Sequence, residues 1–229
     1  MVAETGGGRP APDKFHRELE VLKDKLLELA RLAEKAIELS IKAFLTQDEA
    51  LARRVIVGDK TVNELEEAID GECVRLIALF QPVAIDLRQL MAVDHIIAEL
   101  ERIGDSATNI AEEVLALKES PGRPPHPELP QMARDVLEMV RQSVQAFLRR
   151  DPKLARDICK ADNIVDEMDR DLITELLQDM TGSPEGIPAG QSQINVVRNL
   201  ERVGDHATNI AEQVVYMVEG ESIRHRCQG

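Results

Sequence analysis

Aromatic residues make up only 2% of this 229-residue chain, with four Phe, one Tyr and no Trp. A hydrophobic fraction of 43% must therefore build its core from Leu, Ile, Val, Ala and Met, the palette of helix bundles. Positive charge is scarce too: 28 Lys and Arg stand against 42 Asp and Glu, a net charge of −14. That balance opposes electrostatic capture by nucleic-acid backbones or anionic membrane surfaces, and favours cations or a basic patch on another protein as partners. The three cysteines, Cys73, Cys159 and Cys227, stand far apart with no Cys-x-x-Cys spacing. The odd count and wide spacing predict reduced thiols in a cytosolic compartment, with Cys73 and Cys159 as small core residues. No run reaches the roughly 18 apolar residues of a membrane span. The opening Met1 to Pro12 lacks the apolar stretch of a signal peptide. The chain is expected to be cytoplasmic, with no membrane span and no nucleic-acid partner. Nucleophilic Ser/His/Asp or Cys/His sets, a phosphate loop and His-Glu-x-x-His are all missing, which argues against an enzyme and leaves no catalytic residue to name.

What the chain does have is a repeat. Residues 100–114 (LERIGDSATNIAEEV) return as residues 200–214 (LERVGDHATNIAEQV), with three of fifteen positions changed. Ala43, Phe44, Leu45, Asp48 and Asp59 recur as Ala146, Phe147, Leu148, Asp151 and Asp162, 103 residues on. Two related halves of unequal connection length account for the two offsets.

Helical periodicity places the elements. A first pattern runs from Asp13 through Leu19, Leu22, Leu26 and Leu29 to about Gln47. A second follows Asp48 and stops at Gln81-Pro82, and a third continues from there to about Ser120. Residues 121–130 are Pro-rich and read as a stiff linker. Beyond them the plan recurs as Met132 to Arg150, Pro152 to about Met180, a loop over Thr181 to Gly190, and a last helix ending near Gly220. The expected fold is all-α: two tandem up-and-down three-helix bundles related by internal duplication, over 13–120 and 131–220. Tails at 1–12 and 221–229 flank them.

The repeat retains carboxylates that a core does not require. On a helix, residues four apart are separated by about 40° around the axis and about 6 Å along it, so Glu101 and Asp105 point the same way, as do Glu201 and Asp205. Asn109 and Glu112 extend the first row. By helical geometry the row lies roughly 150° from the apolar stripe of Leu100, Ile103, Ala107 and Ile110, and is expected to face outward. The preceding helices carry matching rows of Asp59, Asn63 and Glu66, and of Asp162, Asp166 and Asp169. Adjacent helices with such rows can converge oxygens from both sides, and an all-oxygen set suits Mg²⁺, Ca²⁺, Mn²⁺ or iron. Gly104 and Gly204 sit mid-helix, where each costs about 1 kcal/mol relative to Ala, so each is expected to permit close approach of a second helix or leave room beside a ligand. Arg102 and Arg202 read as ion-pair partners or as binders of an anion such as phosphate, and His206 as an extra ligand or a bystander.

The doubled Glu-Arg-(Ile/Val)-Gly-Asp core, Ala68-Ile69-Asp70, the Gln81-Pro82 break and Asp86-Leu87-Arg88 together resemble the PhoU family of phosphate-uptake regulators over about residues 15 to 220. The resemblance implies surface metal sites, with iron or zinc clusters, at paired motifs that map onto Asp59/Asn63 with Glu101/Asp105 and Asp162/Asp166 with Glu201/Asp205. Asn63 departs from the acidic pattern, leaving the second set more complete. It further implies a negative regulator that links a high-affinity phosphate ABC transporter to a sensor histidine kinase at the cytoplasmic membrane face. Two other readings stand beside it. A di-metal carboxylate enzyme would use Glu-x-x-His on inward faces, which the chain lacks. A metal-free helical adaptor would use its acidic face to attract a basic partner. A homodimer is compatible with each of these readings.

Overall fold

The structure is a computed structural model that describes residues 12–117, 124–182 and 184–223. It contains six α-helices and no strand among those residues: α1 (Pro12–Thr46), α2 (Glu49–Phe80), α3 (Ala84–Ala116), α4 (Leu129–Arg149), α5 (Pro152–Gly182) and α6 (Ile187–Glu219). Helices α1 to α3 pack on one another, as do α4 to α6, giving the two three-helix bundles. Of the expected tails at 1–12 and 221–229, residues 1–11 and 224–229 lie outside the described residues, as do residues 118–123 between the bundles, while Pro12 already belongs to α1.

The duplication is visible in the turns. Gln47 and Arg150 both adopt the left-handed conformation, at φ 53° and 52°. Behind them the amides of Asp48 and Asp151 donate to the carbonyls of Ala43 and Ala146, at 3.0 and 2.9 Å. Each Asp then caps the next helix. The Asp48 carboxylate accepts from the Leu51 amide at 3.0 Å, and that of Asp151 from the amides of Lys153 and Leu154, both at 3.0 Å. At the other end α2 stops where Pro82 removes the next donor, and Gln81 closes it in the left-handed region.

The segment from Thr181 to Gly190 departs from the expected loop. Helix α5 continues to Gly182, a single 3₁₀ turn spans Pro184–Gly186, and α6 starts at Ile187. Pro188 is tolerated because it falls in the first turn, where its missing N–H has no partner to lose. Gly190 is helical because the Met180 side chain packs against it, and a Cβ there would lie 2.6 Å from the Met180 Cγ and Sδ. In the same way Pro130 enters the first turn of α4, which begins at Leu129 rather than Met132.

One apolar cluster runs through both bundles, because α3 also packs on α6 and α1 on α4. The four helices α1, α3, α4 and α6 thus pack as a closed central set, with α2 against α1 and α3 and α5 against α4 and α6. Phe44 and Phe147, equivalent in the repeat, are both fully enclosed. Cys73 is a free, buried thiol, pushed up to about 12 by burial and then by the charges of Asp94 and Asp70. Cys159 is also buried but is disulfide-bonded, so the expectation of reduced thiols fails there. Cys227 lies outside the described residues.

Candidate metal centre

The repeated segment forms the middle of α3 and of α6, and each carries its carboxylate row along the seam with the flanking helix, α2 or α5. These rows do not simply face outward. Asp105 is exposed, Glu101, Asp166, Glu201 and Asp205 are half-buried, and Asp162 is buried at 6% exposure. The angle taken from α3 alone puts the row on the outer face, and the adjacent helix, whose matching row the sequence also shows, covers part of it. Gly104 and Gly204 explain why it lies so close, as the sequence led us to expect. A Cβ on Gly104 would sit 3.2 Å from Val62 Cγ1 and 3.5 Å from Asp59 Oδ1. On Gly204 it would sit 3.2 Å from Asp162 Oδ1 and 3.4 Å from Val165 Cγ1. The missing side chain leaves the space that the α2 or α5 carboxylate fills.

In the first bundle the Asn63 amide donates to Asp59 Oδ2 at 3.1 Å, while Asp59 Oδ1 and Asn63 Oδ1 are buried and accept nothing. Burial raises the Glu101 carboxyl, and the charges of Asp105, Glu66 and Asp59 raise it further. Asp105 is raised by burial and by Asp59. The second bundle concentrates more charge. Burial, then Asp205 and Asp166, push Asp162 up to about 6. Glu201 is pushed up to about 7 by burial, then by Asp205, Asp169, Asp166 and Asp162. Asp205 is raised by burial and by Asp166. Asp169 Oδ1 is another buried oxygen with nothing to accept. Repelling carboxylates with unpartnered oxygens are the donor set that a hard cation satisfies. Among the described residues, however, no three Asp, Glu, His or Cys side chains converge closely enough to hold one ion as they stand. Closing an oxygen shell requires side-chain rotation within each groove. Glu66 and Asp169, seven residues after Asp59 and Asp162, join the rows by their charge on Glu101 and Glu201.

Several neighbours of the rows serve the seam between the bundles instead. Asn109 donates to Asn199 Oδ1 at 3.2 Å, and its repeat partner Asn209 donates to Glu99 Oε2 at 3.0 Å. His206 Nδ1 lies 2.7 Å from the same Glu99 oxygen, so it turns toward α3 and away from the α5 carboxylates. Arg102 pairs with Glu99 Oε1 at 2.7 Å. Burial works to raise the Glu99 carboxyl, but the hydrogen bonds of His206 and Asn209 outweigh it and hold it below the usual range. Glu112 and Asn109 line a ≈370 Å³ groove together with Asn195, Arg198 and Glu201. A ≈390 Å³ groove lined by Arg102, Asp105, Ser106, Arg202, Asp205 and His206 brings one carboxylate of each bundle to a common face. The periodicity of single helices carries no signal for this seam, because its partners are 90 to 110 residues apart.

Comparison with known proteins agrees with the duplicated layout. The PhoU domain matches twice, at residues 26–114 and 129–214. The chain is 38% identical to a phosphate-specific transport system accessory protein PhoU homolog of Pseudomonas putida, over 93% of this chain and 83% of the relative. It is 36% identical to the accessory protein PhoU of Escherichia coli K12, over 93% of this chain and 88% of the relative. The crystal structure of PhoU from Pseudomonas aeruginosa superposes with a TM-score of 0.86 at 36% identity, covering 90% of this chain and all of that one (100%). That of the phosphate transport regulatory protein PhoU from Streptococcus pneumoniae gives 0.85 at 31% identity, over 91% and 98%. Two matched domains and relatives of this identity along almost the whole chain place it: the chain belongs to the PhoU family.

Proposed function

We propose that this chain is a non-enzymatic accessory and negative regulator of phosphate uptake. In this reading it works at the cytoplasmic face of the membrane, coupling a high-affinity phosphate transporter to a sensor histidine kinase and restraining the phosphate-starvation response. The observation that carries the reading is family membership across both bundles, with relatives named as accessory proteins of phosphate-specific transport. The absence, among the described residues, of any helix long and apolar enough to cross a membrane is consistent with an accessory that works beside membrane proteins.

The metal part of the reading rests on the two grooves. Asp59, Asn63, Glu101 and Asp105 would hold a cation in the first bundle, and Asp162, Asp166, Glu201 and Asp205 in the second. Iron, zinc, manganese or magnesium are the candidates, and oxygen donors favour the harder ions among them. A bound cation would supply the positive charge that these carboxylates lack. The chain's own part is to hold the acids half-dehydrated at fixed spacing, with Gly104 and Gly204 setting the helix separation. Because α3 and α6 carry both the rows and the inter-bundle hydrogen bonds of Glu99, Asn109 and Asn209, occupancy of the grooves bears on how the bundles sit together.

Deletion of the chromosomal copy tests the regulatory reading. Phosphate uptake and starvation-gene expression are measured in high phosphate, with wild-type complementation as control. The expected result is uptake genes expressed despite abundant phosphate. Normal repression in the deletion strain refutes the assignment.

A further inference from the structure

The net charge of −14 hides an uneven distribution. One end of the molecule is built from the start of α1, the α2–α3 turn, the α4–α5 turn and the end of α6. Three contacts fix that arrangement: the Phe15 and Phe80 rings lie 5.5 Å apart, Arg150 donates to Gln89, and Arg88 Nε donates to the Met217 carbonyl at 3.3 Å. This end exposes large apolar side chains at its tip: Val83 at 72%, Leu79 at 45%, Ile85 at 43% and Leu148 at 38%. The turn that presents Val83 is held between two non-glycine residues in the left-handed region, Gln81 at φ 49° and Ala84 at φ 50°. Such backbone persists only where its surroundings fix it.

Around this apolar tip stand Lys14, Arg17, Arg149 and Lys153, all exposed and with no ion pair among the described residues. The acids at the same end are largely committed. Asp151 caps α5, Glu219 pairs with Arg156, and Glu18 pairs with Arg75, which leaves Asp86 and Glu221 opposite the four cations among the acids at this end whose side chains are described. The carboxylate grooves lie farther off. Asp162 is ten residues into α5 and Glu101 seventeen into α3, about 15 and 25 Å from the tip at 1.5 Å per residue. Both distances exceed the roughly 8 Å over which charges act at physiological salt.

We propose that this end docks on the surface of a bilayer containing anionic lipid. Val83, Ile85, Leu79 and Leu148 enter the headgroup region, and the four cations rest against lipid phosphates. Shallow apolar insertion ringed by basic side chains is the chemistry by which proteins without a span lie on anionic membranes. The acidic body orients the molecule with this end toward the membrane, since the opposite approach meets repulsion. The docking needs no occupant in the carboxylate grooves, so it stands or falls separately from the metal reading.

Flotation of the full chain with vesicles, in chelator, tests it. Vesicles of phosphatidylcholine alone are compared with vesicles that also contain phosphatidylglycerol, at low and high salt, and circular dichroism verifies that each variant is folded. The wild type is expected to float with the anionic vesicles only, and less at high salt. Arg149→Gln with Lys153→Gln should weaken partition roughly 25-fold, about fivefold per cation removed. Val83→Glu with Ile85→Glu should abolish it, while Val57→Glu, on an exposed position near the far end of α2, should leave it unchanged. The proposal is overturned if the wild type stays off anionic vesicles, if it floats equally with neutral ones, or if the Val83/Ile85 variant floats like wild type. Retention only by membranes that contain transporter proteins would also overturn it, and would assign the tip to a protein partner.

Discussion

Glu201→Gln should make this protein more stable at pH 8 and leave its stability unchanged at pH 4. Glu201 carries a carboxyl pushed from about 4.5 up to about 7 by burial and by Asp205, Asp169, Asp166 and Asp162. A raised folded-state pKa means that the native state binds the proton more tightly than the unfolded chain. Stability therefore falls as pH rises from about 4.5 to about 7, and stays low above that window. At roughly 1.4 kcal/mol per pH unit the ceiling is about 3 kcal/mol, and solvent screening of a half-buried group brings this to about 1–2 kcal/mol. Glutamine keeps the shape and removes the charge, so the variant should gain that amount at pH 8. Urea denaturation in chelator at pH 4, 6 and 8 measures it, with Glu20→Gln, at an exposed α1 position far from the grooves, as control. Equal stability of variant and wild type at pH 8, or a loss there, refutes the claim that the second groove is a cluster of mutually repelling carboxylates.

Asp162→Asn should behave alike over a lower window, losing its pH dependence between about 4 and about 6, as read from the same denaturation series. Gly204→Ala gains about 1 kcal/mol of helix propensity, but its Cβ arrives 3.2 Å from Asp162 Oδ1. Its stability should change by less than about 1 kcal/mol while its cation affinity, measured by calorimetric titration, falls at least tenfold. Glu99→Ala leaves His206 and Asn209 without their shared acceptor and should cost about 1–2 kcal/mol in thermal unfolding, a loss that shrinks as pH falls and the carboxyl is protonated. Asp48→Ala and Asp151→Ala should each cost about 1 kcal/mol, by the same measure, as loss of an N-cap.

The fold was largely legible because its signals are local. Leu and Ile at steps of three and four mark buried stripes, Asp48 and Asp151 mark helix starts, and Pro82 marks a stop. The Thr181 to Gly190 segment misled for a physical reason: Pro188 and Gly190 look like breakers, yet the first is harmless at a helix start and the second is required by Met180. The candidate site was legible as rows of acids, and Gly104 and Gly204 could be read as points of close approach. What single-helix geometry did not contain was the burial of Asp162, which depends on α5 closing over Gly204. Nor did it contain the turning of Asn109 and His206 to the inter-bundle seam. Those outcomes depend on which helices become neighbours, and α3 meets α6 only through tertiary packing.

Metal analysis of protein purified without chelator tests the central claim most directly, run alongside Glu101→Ala/Asp105→Ala, Glu201→Ala/Asp205→Ala and the combination of all four. The wild type should retain divalent cation stoichiometrically, each double variant should lose the share of its own bundle, and the quadruple variant should retain none while keeping its helical circular dichroism. Wild-type protein that is fully folded yet free of metal, and that takes up none on titration, would contradict the account.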